Sequence, residues 1–438
     1  MADYQNEAER RRKARLAKKA REEKKRRQFR NRLMLAAAIL LLAAFMLFFV
    51  GRGEEDPTEP VETDPPVQTA PPATEPEQTD APQPQTGTTV IHVSVAGDLN
   101  VTDYVLENAA HANGYDFSQT FLDVAPILSG ADLTLLNFEG NLSGGTYGYE
   151  TGAAPLELPK ALKAIGVDVV QTANSAAIRQ GVSGLVTTLE AFEHVGLTTL
   201  GTYSDSADFR RSGGYEIVEV EGIRIALIAF TKGMDNLGLP AGSEDCVNLL
   251  YEDYSSDYKT VDTDRIARVL RNVSEEQPDI TIAMLHWGSE YNDEISDTQK
   301  KILKQLQEGG VDIIVGSHPH LVQRIDYDPI AGTLVAYSLG DFFGDAVMAG
   351  TNYSIVLDLE ITRDNATGEV YLSGYDYTPI FTLKPEQSAS GGHRVVRIRE
   401  AMERYESDFV GRVTDEAYSD MEYALGRIEK RVNPEEEE

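Results

Sequence analysis

Val311-Asp312-Ile313-Ile314-Val315-Gly316-Ser317-His318-Pro319-His320-Leu321-Val322-Gln323 reads as an apolar strand that stops at Gly316 and delivers two histidines one residue apart. The chain holds only seven histidines. Two of them at the end of one buried strand call for chemistry that needs imidazoles close together. The ring of Pro319 also biases His318 toward an extended backbone.

Other strands finish in the same way. TVIHVSVAG (89–97) runs into Asp98-Leu99-Asn100, and DLTLLNFEG (132–140) carries Asn137 and Glu139 at its end. VDVVQTAN (167–174) ends in Asn174-Ser175, and DITIAMLHW (279–287) ends in His286-Trp287-Gly288-Ser289-Glu290. Each end alone reads as a turn, a capped strand or a satisfied core histidine. Together they line up carboxylates and imidazoles where α/β proteins build their sites. Oxygen and nitrogen ligands of this kind suit Mn, Fe or Zn and suit Ca poorly.

Further strands are expected at YEIVEVEG (215–222), IRIALIAF (223–230) and TLVAYSLG (333–340), with antiparallel additions at IVLDLEIT (355–362) and EVYLSGYDYT (369–378). Helices are expected over Ser183–His194, Asp262–Ser274, Ser296–Gln307 and Val395–Tyr405. Strands alternating with amphipathic helices predict an α/β layered fold with mixed sheets.

The 438 residues exceed one ordinary compact domain. Residues 1–32 hold fourteen Lys/Arg against five Asp/Glu, which is +9, and the whole chain is −31, so the rest carries −40. Such an acidic body repels nucleic acid unless cations bridge the two. Leu33 to Val50 is an uncharged apolar run. At 1.5 Å per residue its length is about 27 Å, close to the hydrocarbon thickness of a bilayer. The basic flank places the N-terminal side in the cytoplasm and the remainder outside. Residues 51–88 are rich in Pro, Glu and Thr and lack aromatics, the composition of an extended linker. The expected order is a cytoplasmic basic tail (1–32), a transmembrane signal anchor (33–50), a linker (51–88), an extracellular domain (89–432) and an acidic tail (433–438). Cys246 is the single cysteine, so the domain folds without an internal disulfide.

The strings GDLN, NFEGNLS, TANSAAIRQG, LHWGSEY, GSHPHLVQ and YSLGDFF, taken in order, resemble the CapA family of capsule and poly-γ-glutamate synthesis proteins. The resemblance spans Val90 to Asp345. It implies a metallophosphoesterase-like four-layer α/β/β/α sandwich, a membrane anchor with a spacer, and an external domain. By that resemblance Asp98 and Glu139 match the acids of the first two motifs, with Asn137 beside Glu139. His286 matches the fourth motif, and His318 and His320 match the last. Asp98, Glu139, Asn174, His286, His318 and His320 are then the expected ligands of a divalent metal, with His286, His318 and Glu290 at the reacting centre. Gln323 is expected to line the same pocket. The third motif departs from the family pattern A-N-N-H-x-x-D-x-G. Ser175, Ala176 and Arg179 stand where Asn, His and Asp are expected, leaving Asn174 as a substitute ligand and Arg179 as either an anion binder or a solvated surface residue. Asp341 replaces the asparagine of YSLGNF.

Three functions are compatible with that pattern. The first is an accessory factor handling an anionic extracellular polymer beside a membrane polymer synthase. The second is a metal-dependent hydrolase of phosphoester or polymer amide bonds. The third is a binding module that keeps the fold without the metal.

Overall fold

The computed structural model describes residues 87–148, 151–389, 391–407 and 413–434. The basic tail, the apolar run 33–50, nearly all of the linker and Glu435–Glu438 lie outside the described residues. Among the described residues, no helix is long and apolar enough to cross a membrane. The chain divides into Met1–Thr79 and a compact unit, Asp80–Glu438.

Two mixed sheets form that unit. The first is built on β1 (Thr88–Asn100), β2 (Leu133–Glu139), β3 (Val169–Gln171) and β4 (Thr198–Leu200), successive parallel neighbours. The second holds β5 (Glu216–Val220), β6 (Ile223–Thr231), β7 (Ile280–His286), β8 (Ile313–Ser317), β9 (Ile325–Asp328) and β10 (Thr333–Ala336), in the order β9-β10-β8-β7-β6-β5. β11 (Asp341–Phe343) then pairs with β1, and β12 (Tyr353–Asp364), β13 (Val370–Leu383) and β14 (Arg394–Arg397) extend the first sheet on its antiparallel side.

Side chains alternate across a strand, and the division of buried residues between cores follows that period. Ile91, Val93, Val95 and Leu135 of the first sheet share one core with Ile225, Leu227, Ile282 and Ile313 of the second. On the far side of β6, Ala226, Ile228 and Phe230 meet Ile266, Val269, Ile302 and Leu306 from α2 (Thr263–Glu276) and α3 (Asp297–Glu308). On the far side of the first sheet, Leu136 and Val170 meet Phe192 of α1 (Gly181–His194) and Leu158 and Leu162 of a short helix, Leu158–Ala164. The layers are therefore helix, sheet, sheet, helix. All three cores draw their residues from Ile91 to Val432, so the unit is self-contained.

α1, α2 and α3 lie within two residues of their expected bounds. The C-terminal region differs. Val395–Arg397 was expected to open a helix and instead belongs to β14, where Val395 and Val396 face Thr382 and Phe381 across the ladder. β-branched residues favour that pleated setting. The helix there, α4, begins at Ile398 and ends at Glu406. A final helix, α5 (Asp415–Val432), capped by Thr414, buries Met421, Ala424, Ile428 and Val432.

The two sheets are linked by a crossing. The chain leaves β10 at Ala336 in the second sheet and re-enters at Asp341 beside β1 in the first. Gly340 O accepts from the backbone N of Asp98 at 3.0 Å. The register of β1 against β2 slips between Ala96 and Asp98, a bulge centred on Gly97. A Cβ on Gly97 would lie 2.0 Å from Gly340 O, so only glycine permits this approach. Gly97→Ala is expected to destabilise the unit by about 3 kcal/mol, typical of core overpacking. The shift of the urea midpoint measures it.

Candidate metal centre

Parallel pairing sets the site. Asn100 stands opposite Glu139 and Asp98 opposite Asn137, so β1 and β2 bring their polar ends to one place. β7 and β8 pair with His286 opposite Ser317. Asp98 is fully buried. Its Oδ1 accepts from Asn137 Nδ2 at 2.5 Å, and its Oδ2 accepts from the backbone N of His318 at 3.0 Å.

Around this carboxylate the expected ligands converge. His286 Nε2 lies 3.3 Å from Glu139 Oε1, and His286 Nδ1 lies 3.9 Å from Asp98 Oδ1. His320 Nδ1 is 3.8 Å from Asp98 Oδ2, and its Nε2 is 3.9 Å from Glu139 Oε2. The rings of His286 and His318 are 4.5 Å apart. Ser317 Oγ meets His286 Nδ1 at 3.1 Å and orients that ring.

His318 has φ +92° and His320 has φ +57°. The extended backbone expected for His318 from Pro319 is therefore not what forms. The hydrogen bond from His318 N to Asp98, and one from Tyr291 N to Pro319 O at 3.0 Å, hold the loop in a left-handed turn that side chains ordinarily avoid. Strain of this sort persists where the surroundings over-determine it, commonly at functional sites.

The donor set fits a divalent cation. Glu139/His286/His318, Glu290/His318/His320 and Asp98/Glu139/His320 each offer one ligand atom per residue, with the atoms of each trio within 4.8 Å of one another. Glu139 Oε2 and His318 Nδ1 are buried and lack a hydrogen-bond partner among the described residues. A buried polar atom left unsatisfied costs about 1–3 kcal/mol, a cost that a bound cation removes. Burial first, then the neighbouring His286 and Lys232, pushes His318 well below the ordinary histidine range. Burial acts to raise Glu139, but the charge interaction and hydrogen bond with His286, together with His320 and His318, outweigh it and hold the carboxylate well below its ordinary range. Burial, then Glu139, pushes Asp98 up.

Asp341 enters the same site because of the crossing between sheets. Its Oδ1 meets His320 Nδ1 at 2.7 Å. Burial raises Asp341 to about 7. Burial also opposes the charge on His320, but Asp341, Glu139 and Asp98 together outweigh it and raise that histidine well above its ordinary value. The proton of the pair therefore rests on His320, which faces three carboxylates. A raised histidine contributes stability that is fully present below its unfolded value of about 6.5 and is lost as pH rises through the folded value. In the metal-free protein the His320 ring is expected to titrate above 6.5, and Asp341→Asn to move that titration downward, as read by imidazole NMR.

Other expected site residues are placed differently. Asn174 is buried beside the cluster, but its Nδ2 donates to Asn137 Oδ1 and Phe138 O, and its Oδ1 accepts from Ala176 N. Its one ligating atom, Oδ1, thus already accepts one hydrogen bond from its own loop. Ser175 Oγ is hydrogen-bonded to Glu139 Oε1. Arg179 pairs with Asp235 at 2.5 Å, which compensates the charge expected to bind an anion. Gln323 does not line the cavity at the centre. It donates to Asn292 O at 2.8 Å and opens into a separate cleft. Asn137 holds Asp98 from behind rather than facing a ligand.

Two cavities meet at the cluster. One of about 150 Å³ is bordered by Glu139, Glu290, Tyr291, His320 and Asp341. One of about 240 Å³ is bordered by Lys232, Tyr258, Glu290 and His318. Ser175 and Asp235 border both. Lys232 and Tyr291 were not found by sequence reasoning. Lys232 Nζ donates to Gly288 O at 2.9 Å and sits 3.4 Å from His318 Nε2, one residue past the end of β6. Its signal was a cation at a strand end, parallel to the acids and histidines at the other ends. Tyr291 stacks on His320 with ring centres 5.4 Å apart.

The family model described as "Bacterial capsule synthesis protein PGA_cap" matches residues 92–346, more than half the chain and every residue placed in the cluster. The chain belongs to this family. The PGA biosynthesis protein CapA of Bacillus subtilis (strain 168) is 28% identical over 308 residues, covering 66% of this chain and 71% of that protein. The capsule biosynthesis protein CapA of Bacillus anthracis is 27% identical over 318 residues, covering 70% and 72%. Among solved structures, the calcineurin-like phosphoesterase YfkN of Bacillus subtilis aligns over 78% of this chain and 100% of that one, at 13% identity and a TM-score of 0.41.

Proposed function

We propose that this PGA_cap chain is a membrane-anchored extracellular factor in capsule or poly-γ-glutamate production. In this reading it binds a divalent metal, Mn, Fe or Zn, and handles an anionic polymer beside a membrane polymer synthase, without rapid hydrolysis. The observation that carries it is a cluster kept in part. Asp98, Glu139, His286, His318 and His320 converge, while the third-motif positions hold Ser175 and Ala176, and Asn174 is spent on its loop. The uncharged run 33–50 between a basic flank and a Pro-rich segment supports the anchor and the outward placement of the domain.

Asp98, Glu139, His286, His318 and His320 would hold the metal, which when bound would supply a lowered pKa for water and polarisation of a substrate oxygen. The chain's own residues do the remainder. Asp98 and Glu139 place negative charge at the centre, Asn137 and His318 N fix the angle of Asp98, and Asp341 orients His320. A side chain at 176 that could pass a proton to a leaving group is missing, and loss of such a group costs about 10²–10⁴-fold in rate.

A second reading, a metal-dependent hydrolase, is favoured by one feature. The cavity beside the cluster is open and bordered by Glu290. Elemental analysis separates the metal-bound readings from a metal-free module. Asp80–Glu438 dialysed against Mn or Zn is expected to retain metal, and His318→Ala/His320→Ala to lose it. Equal content in both would remove the metal from the proposal. Rebuilding the third motif tests the hydrolytic deficit. Ala176 is nearly buried and borders the cavity, so Ser175→Asn/Ala176→His is expected to raise Mn-dependent cleavage of bis-p-nitrophenyl phosphate about 10²-fold over wild type. Wild-type activity already at that level would favour the second reading.

A further inference from the structure

The Arg179–Asp235 pair leaves the metal centre without an obvious basic surface for a polymer of carboxylates. Such a surface lies on the other side of the His318–Gln323 loop. There a cleft of about 460 Å³ is bordered by Gln323 and Arg324, by Asp293 and Lys300, and by Lys430 and Arg431 from the last turn of α5. Four cations face one carboxylate across this cleft, in a chain whose net charge is −31.

The cations are only partly spent on neighbours. Arg431 Nη2 pairs with Asp293 at 3.0 Å, but its Nε and Nη1 are buried and without a partner among the described residues. Arg324 Nη2 pairs with Asp326 at 3.0 Å, and its Nε is likewise unpartnered. Lys300 pairs with Asp297 at 3.2 Å on an exposed surface, an arrangement worth little that a stronger anion displaces. Lys430 is exposed. Gln323 is 4% exposed, its amide donates to Asn292 O, and its Oε1 has no partner. Unsatisfied buried guanidinium N–H groups at a polar cleft mark a place for an acceptor, and guanidinium forks match carboxylates in geometry.

We propose that this cleft is a second ligand site, separate from the metal centre, that binds the carboxylates of an extended glutamate chain. The anion site rests on the cleft's own residues. The choice of a glutamate chain as occupant rests on the polymer-handling reading above. One source of the same chemistry lies in the protein itself. Pro434 borders the cleft, and Glu435–Glu438 follow it directly.

Fluorescence anisotropy of a labelled ten-residue glutamate oligomer, titrated with Asp80–Glu438 at low salt, tests the site. Lys300→Glu/Lys430→Glu changes only exposed side chains and is expected to weaken binding about tenfold. The same titration of His318→Ala/His320→Ala reports what the metal centre contributes, and binding retained by that variant supports a separate site. Tighter binding after removal of Glu435–Glu438 would support the site by showing that it also reads the chain's own glutamates. Equal binding by wild type and the charge-reversed variant overturns the proposal. Binding lost only in the histidine variant also overturns it, while leaving the metal-centre reading intact.

Discussion

The buried carboxylate of Asp98 is the constraint on which the rest depends. It lies near the end of the first sheet's central strand, and it accepts a hydrogen bond from a loop of the second sheet, through His318 N. One acid thus ties together two layers whose shared core is apolar. It cannot be isolated, because an unpaired buried carboxylate is costly. Asn137, His318 N and the surrounding histidines are the response to that cost. The bulge at Gly97 and the crossing to Asp341 are the backbone geometry that admits it.

The fold was largely legible because strands buried on both faces read as nearly continuous apolar runs. Strands such as ITIAMLH and IIVGS are buried along their whole length, with their polar residues gathered mostly at the end. The convergence of Asp98, Glu139, His286, His318 and His320 was legible for the same reason, since polar residues at the ends of apolar strands stand out. What could not be read was anything set by contacts distant in sequence. Asp341 lies beside β1 only because the chain changes sheets after Ala336. Gln323 and His320 are three residues apart, yet the left-handed turn sends them to opposite sides of one loop. Val395 has the hydropathy of a helix start, and the pairing partner at Thr382 decides otherwise. α5 buries small residues such as Ala417 and Ala424, which give weak periodicity.

Charge is distributed with economy across this acidic chain. At the centre, carboxylates and imidazoles hold one another in place, with Lys232 the nearest ammonium. Arg179 is neutralised by Asp235 at the rim. Four others, Lys300, Arg324, Lys430 and Arg431, border the cleft where α5 returns to the HPHLVQR loop. Family membership places the chain among bacterial capsule synthesis proteins, while fold-level kinship leaves the chemistry to be argued from the site itself.

The position of β1 has a mechanical consequence. The described chain enters the fold through this strand, whose residues Thr88 to Val95 pair one for one with β12 before Asp98 is reached. Ladder hydrogen bonds between antiparallel strands run perpendicular to the strand axis. Traction applied at residue 87 therefore loads that whole ladder sideways and together, instead of peeling it bond by bond. Tension applied there is shared by eight paired residues before Asp98 is reached.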